Sequence, residues 1–327
     1  MFVRAVRPPA KYLSIFSKKD RAPTALLTRA RGPSSGARTA RTARTARTGG
    51  ASRGGLVRVR LMTHRLIATA TELREALAPI FAGRVSFAAF DTETNEVKDD
   101  RFTPWGTDLH IGGFSISFDD TDGSEVDLYA PIRHEPYDWR RRRDLIAAHD
   151  ARAGTRWVSV IEEEGITADG AWEPGMDPNV DPDEALAVLA EVLALPGVEW
   201  GAHNWRFDAS VLLADGVTPP WPRLVDTHVV SVFTDERPLD RWDEAARRYH
   251  HTGHALKQLG QAWLGVEPDE QELLEEAREV LRCDHFCMLP LRSVIAPYGA
   301  RDTRLVLALW AHEIKRDSYQ DARVREL

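Results

Sequence analysis

At 327 residues the chain has room for one large domain or two small ones, and 43% hydrophobic with 28% charged residues is ordinary for a globular protein. No apolar run approaches the ~18–20 residues of a membrane-spanning helix, and two cysteines, Cys283 and Cys287, are too few for a disulfide framework or a structural zinc site. The net charge of −7 conceals a basic arm, +14 over residues 1–61, and an acidic remainder of −21. An acidic body is unusual for a protein that grips phosphates; it fits a cation site, a solubilising surface, or both.

Residues 1–60 carry an Ala-Arg-Thr repeat from Ala37 to Thr48 amid Gly, Ser and Pro. They cannot bury enough apolar surface to offset ordering entropy, so a disordered arm is predicted. It reads as a nucleic-acid-binding arm, as a transit segment, or as sequence upstream of a true start at Met62; the last is preferred, because the folded pattern begins just after Met62. From residue 63 an α/β domain is predicted. A capped short helix covers residues 71–77. Strands follow at 85–90, 109–118 (with Gly112 and Gly113 inside) and 126–132. Residues 133–181 lose the pattern, with Arg140–Arg143 in a row and Glu162, Glu163 and Glu164 together, and read as a surface insertion. Helices are predicted at 183–195, where Leu186, Leu189 and Leu193 share a face, and at 205–214, 254–264, 269–287 and 297–314. Between them lie a strand at 198–202 and a short element at 224–226 leading into a helix. Early strands and late helices predict a mixed sheet covered by helices.

Three segments carry acidic residues at chemically suggestive spacing. Asp91 and Glu93 end the first long strand, and side chains two apart on a strand point to one side. Two carboxylates so close repel each other unless a cation lies between them; a solvated strand-to-turn junction is the alternative. Asn204 and Asp208 are four apart on one helical face, where Asn204 also suits a helix N-cap and Asp208 a surface charge. Tyr298 and Asp302 repeat that spacing at the start of the last helix, where Asp302 also suits the positive end of the helix dipole. The histidines at 203, 228, 250, 251 and 254 fall on different predicted elements and read as surface or core residues.

Together, Asp-x-Glu, Asn-x-x-x-Asp and Tyr-x-x-x-Asp, in this order, resemble the tyrosine-bearing branch of the four-carboxylate 3′→5′ exonucleases, in particular the proofreading domain of the bacterial DNA polymerase I type. Tyr129-Ala130-Pro131-Ile132, Asp226-Thr227, His254–Leu259 and Trp263-Leu264-Gly265 extend the likeness over about residues 85–310. The resemblance implies a ribonuclease-H-like mixed sheet flanked by helices. It implies two Mg²⁺ or Mn²⁺ ions held by Asp91, Glu93, Asp208 and Asp302, with Tyr298 orienting the attacking water. Substrate contacts would come from Thr92, Val97 and Asn204, Val97 standing where the family wedges an apolar side chain against the last base; Trp205, beside Asn204, is a further candidate contact by stacking on a base, with core packing the alternative.

On that basis the expected substrate is a single-stranded or frayed DNA 3′ end, cut to nucleoside 5′-monophosphates. The expected setting is the bacterial or phage-infected cytoplasm, with no membrane and with a separate DNA polymerase as partner in proofreading or repair. RNA 3′-end processing of the ribonuclease D type is one alternative; a non-catalytic nucleic-acid- or polymerase-binding module is another.

Overall fold

The computed structural model describes residues 64–95, 109–234, 240–243, 248–251, 254–283 and 285–315. The basic arm and Val97 lie outside the described residues. Eight strands are described: β1 (Arg65–Leu66), β2 (Phe87–Thr94), β3 (Ile111–Asp119), β4 (Glu125–Pro131), β5 (Glu199–Ala202), β6 (Leu224–Asp226), β7 (Asp240–Asp243) and β8 (Arg248–His251). The first six form one mixed sheet in the order β1-β4-β3-β2-β5-β6, and β7 and β8 pair antiparallel by themselves. The helices are α1 (Ala70–Ala76), α2 (Ala78–Phe81), α3 (Arg143–Ala153), α4 (Trp157–Glu163), α5 (Pro182–Leu193), α6 (Trp205–Ala214), α7 (Thr227–Thr234), α8 (Leu256–Leu259), α9 (Asp269–Leu281) and α10 (Ala296–Lys315). This is the α/β, ribonuclease-H-like arrangement expected from the sequence.

The strand β2 is central because Ala88, Ala89 and Phe90 are apolar on both faces, as a strand covered on both sides requires. It runs antiparallel to β3, with Asp91 opposite Ser115 and Glu93 opposite Gly113, and parallel to β5. One face of the sheet presents Phe90, Phe114 and Ile116 to a core completed by α1, α2, α5 and α6. The helix α10 crosses the other face. It is clamped there by Ser115 Oγ donating to Gly299 O (2.9 Å), by the Ser117–Thr303 hydroxyl pair (2.7 Å) and by Arg304 against Asp127 (2.8 Å) and Asp119.

Glycines set how closely α10 approaches. A Cβ on Gly299 would stand 3.2 Å from both Ser115 Oγ and the Tyr129 ring, and that ring is fully buried with its hydroxyl on His134 Nε2 (2.9 Å). Because Tyr129 cannot yield, Gly299→Ala is expected to lift α10 rather than compress the sheet. The helix carries Tyr298 and Asp302, so activity falls further than stability. Parallel measurement of kcat and Tm checks this; a variant that loses stability but keeps its kcat overturns it.

Residues 133–181 differ from the patternless surface insertion expected. They hold α3 and α4, and Tyr137, Trp139, Ile146, Trp157, Ile161 and Ile166 build a second core against Leu274, Leu281, Leu291 and Ile295. Arg142 donates to Val280 O (3.0 Å), and Trp157 Nε1 donates to Glu276 (3.0 Å). Of the arginine run, Arg140 pairs with Asp138 (3.2 Å) and Arg143 approaches Glu162 (3.7 Å). The long helix expected to reach residue 287 stops at Leu281, where Arg282 turns left-handed with φ 52°. Cys283 and Cys287 therefore share no helical face; neither forms a disulfide, and Cys287 is buried against Gly112. No described helix is long and apolar enough to cross a membrane.

Candidate active site

Where β2 ends, three elements deliver acidic side chains to one region. Asp91 and Glu93 come from β2 itself, on the side that α10 covers. Asp208 comes from the first turn of α6 and is only 2% exposed; its Oδ1 accepts from both the amide (3.0 Å) and the hydroxyl (2.8 Å) of Thr92. Asp302 comes from α10 and is also buried. Thr92 therefore fixes Asp208, and both of its donors are engaged there.

The electrostatics bind these groups together. Burial pushes the Asp91 carboxyl up to about 6, against the lowering pull of Lys257. Burial and then the neighbouring Asp91 charge raise Asp208 well above the usual carboxylate range. Burial, followed by Glu93 and Asp91, raises the Tyr298 phenol, so it stays protonated at neutral pH. Burial and mutual repulsion thus outweigh the pull of Lys257, and the carboxylate oxygens are hard donors, the chemistry that suits Mg²⁺ or Mn²⁺. The donor set fits such ions. As the side chains stand, no three His, Cys, Asp or Glu among the described residues gather closely enough to hold one. A lysine stands among them instead. Lys257, from α8, pairs with Asp302 and with Glu270 of α9 (2.7 Å), and its ammonium lies 4.5 Å from the Tyr298 ring centroid.

Asn204 sits at the mouth of α6, exposed and in a left-handed conformation (φ 72°, ψ 54°), and its side chain makes no capping bond. Asn tolerates that conformation better than most residues. Asp226 holds the turn in place by accepting from the amides of Asn204 (2.9 Å), Trp205 (3.0 Å) and His228 (3.0 Å). Asp226→Ala leaves three amides without this acceptor and is expected to cost about 2 kcal/mol. Chemical denaturation measures that loss, and a variant as stable as the wild type would show that the turn does not depend on Asp226.

Trp205, expected to touch substrate, packs into the core instead. It is 3% exposed, stacks on Phe90 with ring centroids 5.6 Å apart, and donates from Nε1 to Trp200 O (3.0 Å). Its position next to Asn204 suggested contact, but the helix turns the next side chain into the core. Lys257, Glu270 and Asp226 were not singled out for the site. Asp226 and Lys257 lie in segments that extend the family likeness, but neither they nor Glu270 sits at a spacing that points to the carboxylates.

The histidines expected on separate elements partly converge. The rings of His203 and His228 are 5.4 Å apart, and those of His228 and His254 6.3 Å. Both His203 nitrogens are engaged, with Thr227 Oγ1 (3.0 Å) and His254 O (2.7 Å), and burial lowers its pKa to about 4, so it packs as a neutral ring.

No family model matches the chain, and no curated protein does. Among solved structures it is similar to Trypanosoma brucei RNase D in complex with GMP, at 14% identity and a TM-score of 0.45 over 77% of this chain and 57% of that one. Escherichia coli RNase D gives 16% identity and a TM-score of 0.42 over 81% and 50%, and the Aedes aegypti Nibbler EXO domain 12% and 0.42 over 80% and 92%. The chain thus spans little more than half the length of the two RNase D structures. Likenesses this slight say nothing about chemistry; the chain's own carboxylates do.

Proposed function

We propose that this protein is a metal-dependent 3′→5′ exonuclease of the tyrosine-bearing four-carboxylate class, releasing nucleoside 5′-monophosphates from a DNA 3′ end. One observation supports the reading most: at the end of the central strand Asp91 acts on Asp208, Glu93 and Asp91 act on Tyr298, and Lys257, paired with Asp302, acts on Asp91. Two divalent cations held by the four carboxylates would supply water activation and charge stabilisation at the leaving oxygen.

The chain's residues do the positioning. Thr92 fixes the carboxylate of Asp208. The protonated Tyr298 hydroxyl offers a hydrogen bond that holds a water in line with a phosphate. Asn204, exposed on its left-handed turn, would hydrogen-bond the terminal nucleotide. Proofreading or repair beside a separate polymerase is the role we assign.

Tyr298→Phe is expected to lower kcat by roughly 10²-fold, the cost of losing alignment without losing the ions. KM changes little, and the pH–rate profile keeps its shape because the phenol does not titrate in the working range. A shifted profile would instead make Tyr298 a proton carrier.

The test of the whole reading uses the full chain with 3′- and 5′-labelled single-stranded, matched and 3′-mismatched DNA and an RNA of the same sequence, with Mg²⁺, Mn²⁺ or EDTA. Shortening from the 3′ end that needs metal and disappears in Asp91→Ala supports it. Faster decay of RNA moves the assignment to RNA processing; binding without cleavage of any substrate makes the chain a docking module.

A further inference from the structure

We propose that Lys257 is a built-in counter-ion of the carboxylate site, holding Asp302 until a divalent cation displaces it, with Glu270 as the seat onto which the ammonium withdraws. This rests on the metal-dependent reading above.

The geometry is specific. The Lys257 ammonium, on a side chain 14% exposed, bridges Asp302 and Glu270, and its charge reaches Asp91. An ammonium has three donors; two carboxylates and the face of Tyr298 surround this one. It therefore stands inside the cluster that would hold the ions. Ammonium and divalent cation repel each other at such separations, so both cannot occupy Asp302.

Glu270 is equipped to keep the displaced lysine. It sits in the first turn of α9 with its side chain 10% exposed, and its second oxygen is buried without a hydrogen bond, 3.5 Å from Arg301 Nε, which likewise has none. An unused buried acceptor beside the ammonium can take a further hydrogen from it when Asp302 is surrendered. A lysine suits this exchange because its charge is compact and its four-carbon stem flexible, whereas a guanidinium would be fixed by its fork. The ion's affinity is then set by exchange, and the metal-free site is held against the mutual repulsion of its own carboxylates.

The test reads Mn²⁺ binding by electron paramagnetic resonance on the full chain without nucleic acid, for the wild type, Lys257→Met, Glu270→Gln and the double variant. Lys257→Met is expected to tighten Mn²⁺ binding by about tenfold, the size of a typical coupling between competing ligands. Glu270→Gln is expected to weaken it, because the released ammonium loses its second seat. Adding Glu270→Gln to Lys257→Met is expected to change little; equal weakening in both backgrounds would mean that Glu270 attracts the ion directly, and would overturn the exchange. Unchanged or weaker binding in Lys257→Met also overturns it. If the Lys257→Met chain does not fold, Lys257→Gln, which keeps a polar side chain between Asp302 and Glu270, takes its place in both the single and the double variant. No Mn²⁺ binding by the wild type or by any of the variants overturns the metal-dependent reading itself, whereas ordinary binding indifferent to Lys257 overturns only the exchange.

Discussion

Asp208→Asn is expected to abolish cleavage while leaving the protein folded and at least as stable in metal-free buffer. The fold survives because the amide oxygen can accept the same two bonds from Thr92 that the carboxylate accepts now. Stability is kept or gained because the substitution removes a buried charge that burial and Asp91 both disfavour. The site, however, loses one of the four carboxylates proposed to hold the cations. Several kcal/mol of charge stabilisation go with it, and at about 1.4 kcal/mol per tenfold the rate drops by roughly 10³-fold or more. Such opposition between stability and activity is usual where function needs an unfavourable arrangement. A thermal melt paired with a labelled-primer assay decides it. Activity near the wild-type level would remove Asp208 from the site, and a lowered Tm would mean that its charge is structural.

The candidate site was legible in the sequence mainly through the family resemblance. Spacing alone placed Asp91 and Glu93 on one side of a strand and Tyr298 and Asp302 on one helical face, and each pair also had a bland explanation. The elements bearing them, β2, α6 and α10, were likewise expected within a few residues of their observed bounds. What periodicity cannot show is a partner brought in from elsewhere. Lys257 meets Asp302 across 45 residues and Glu270 across 13, and its own helix is a single turn. The structured part of residues 133–181 was hidden for a related reason. Among their helices α3 buries only Ile146, and α4 only Trp157 and Ile161, too few apolar positions per helix to register as a stripe. Trp205 shows the opposite failure: a large aromatic beside a polar site residue suggested contact, yet one position along a helix rotates a side chain by about 100°, here onto Phe90.

Glu164→Ala is expected to be the most destabilising of the substitutions considered, by about 3 kcal/mol, because it removes a buried carboxylate that two part-buried amides, a hydroxyl and the Arg292 guanidinium all face. Glu164 closes α4 and reaches across to the turn that leads into α10. Its Oε1 accepts from the amides of Arg292 (2.8 Å) and Ser293 (3.1 Å) and from the Ser293 hydroxyl (3.2 Å), while the Arg292 guanidinium lies 3.7 Å from Oε2. Burial raises this carboxyl above its ordinary range even so. The loss corresponds to a fall in Tm of roughly 6–12 °C for a domain of this size. Glu164→Gln, which keeps an oxygen acceptor, is expected to recover most of it. The consequence reaches the active site, because residues 291–295 run directly into the helix that carries Tyr298 and Asp302. At a temperature where Glu164→Ala remains folded, kcat should fall while KM holds, since the catalytic helix is loosened and Asn204 is not. An unchanged kcat in the folded variant would mean that segment 133–181 stabilises the domain without positioning its chemistry.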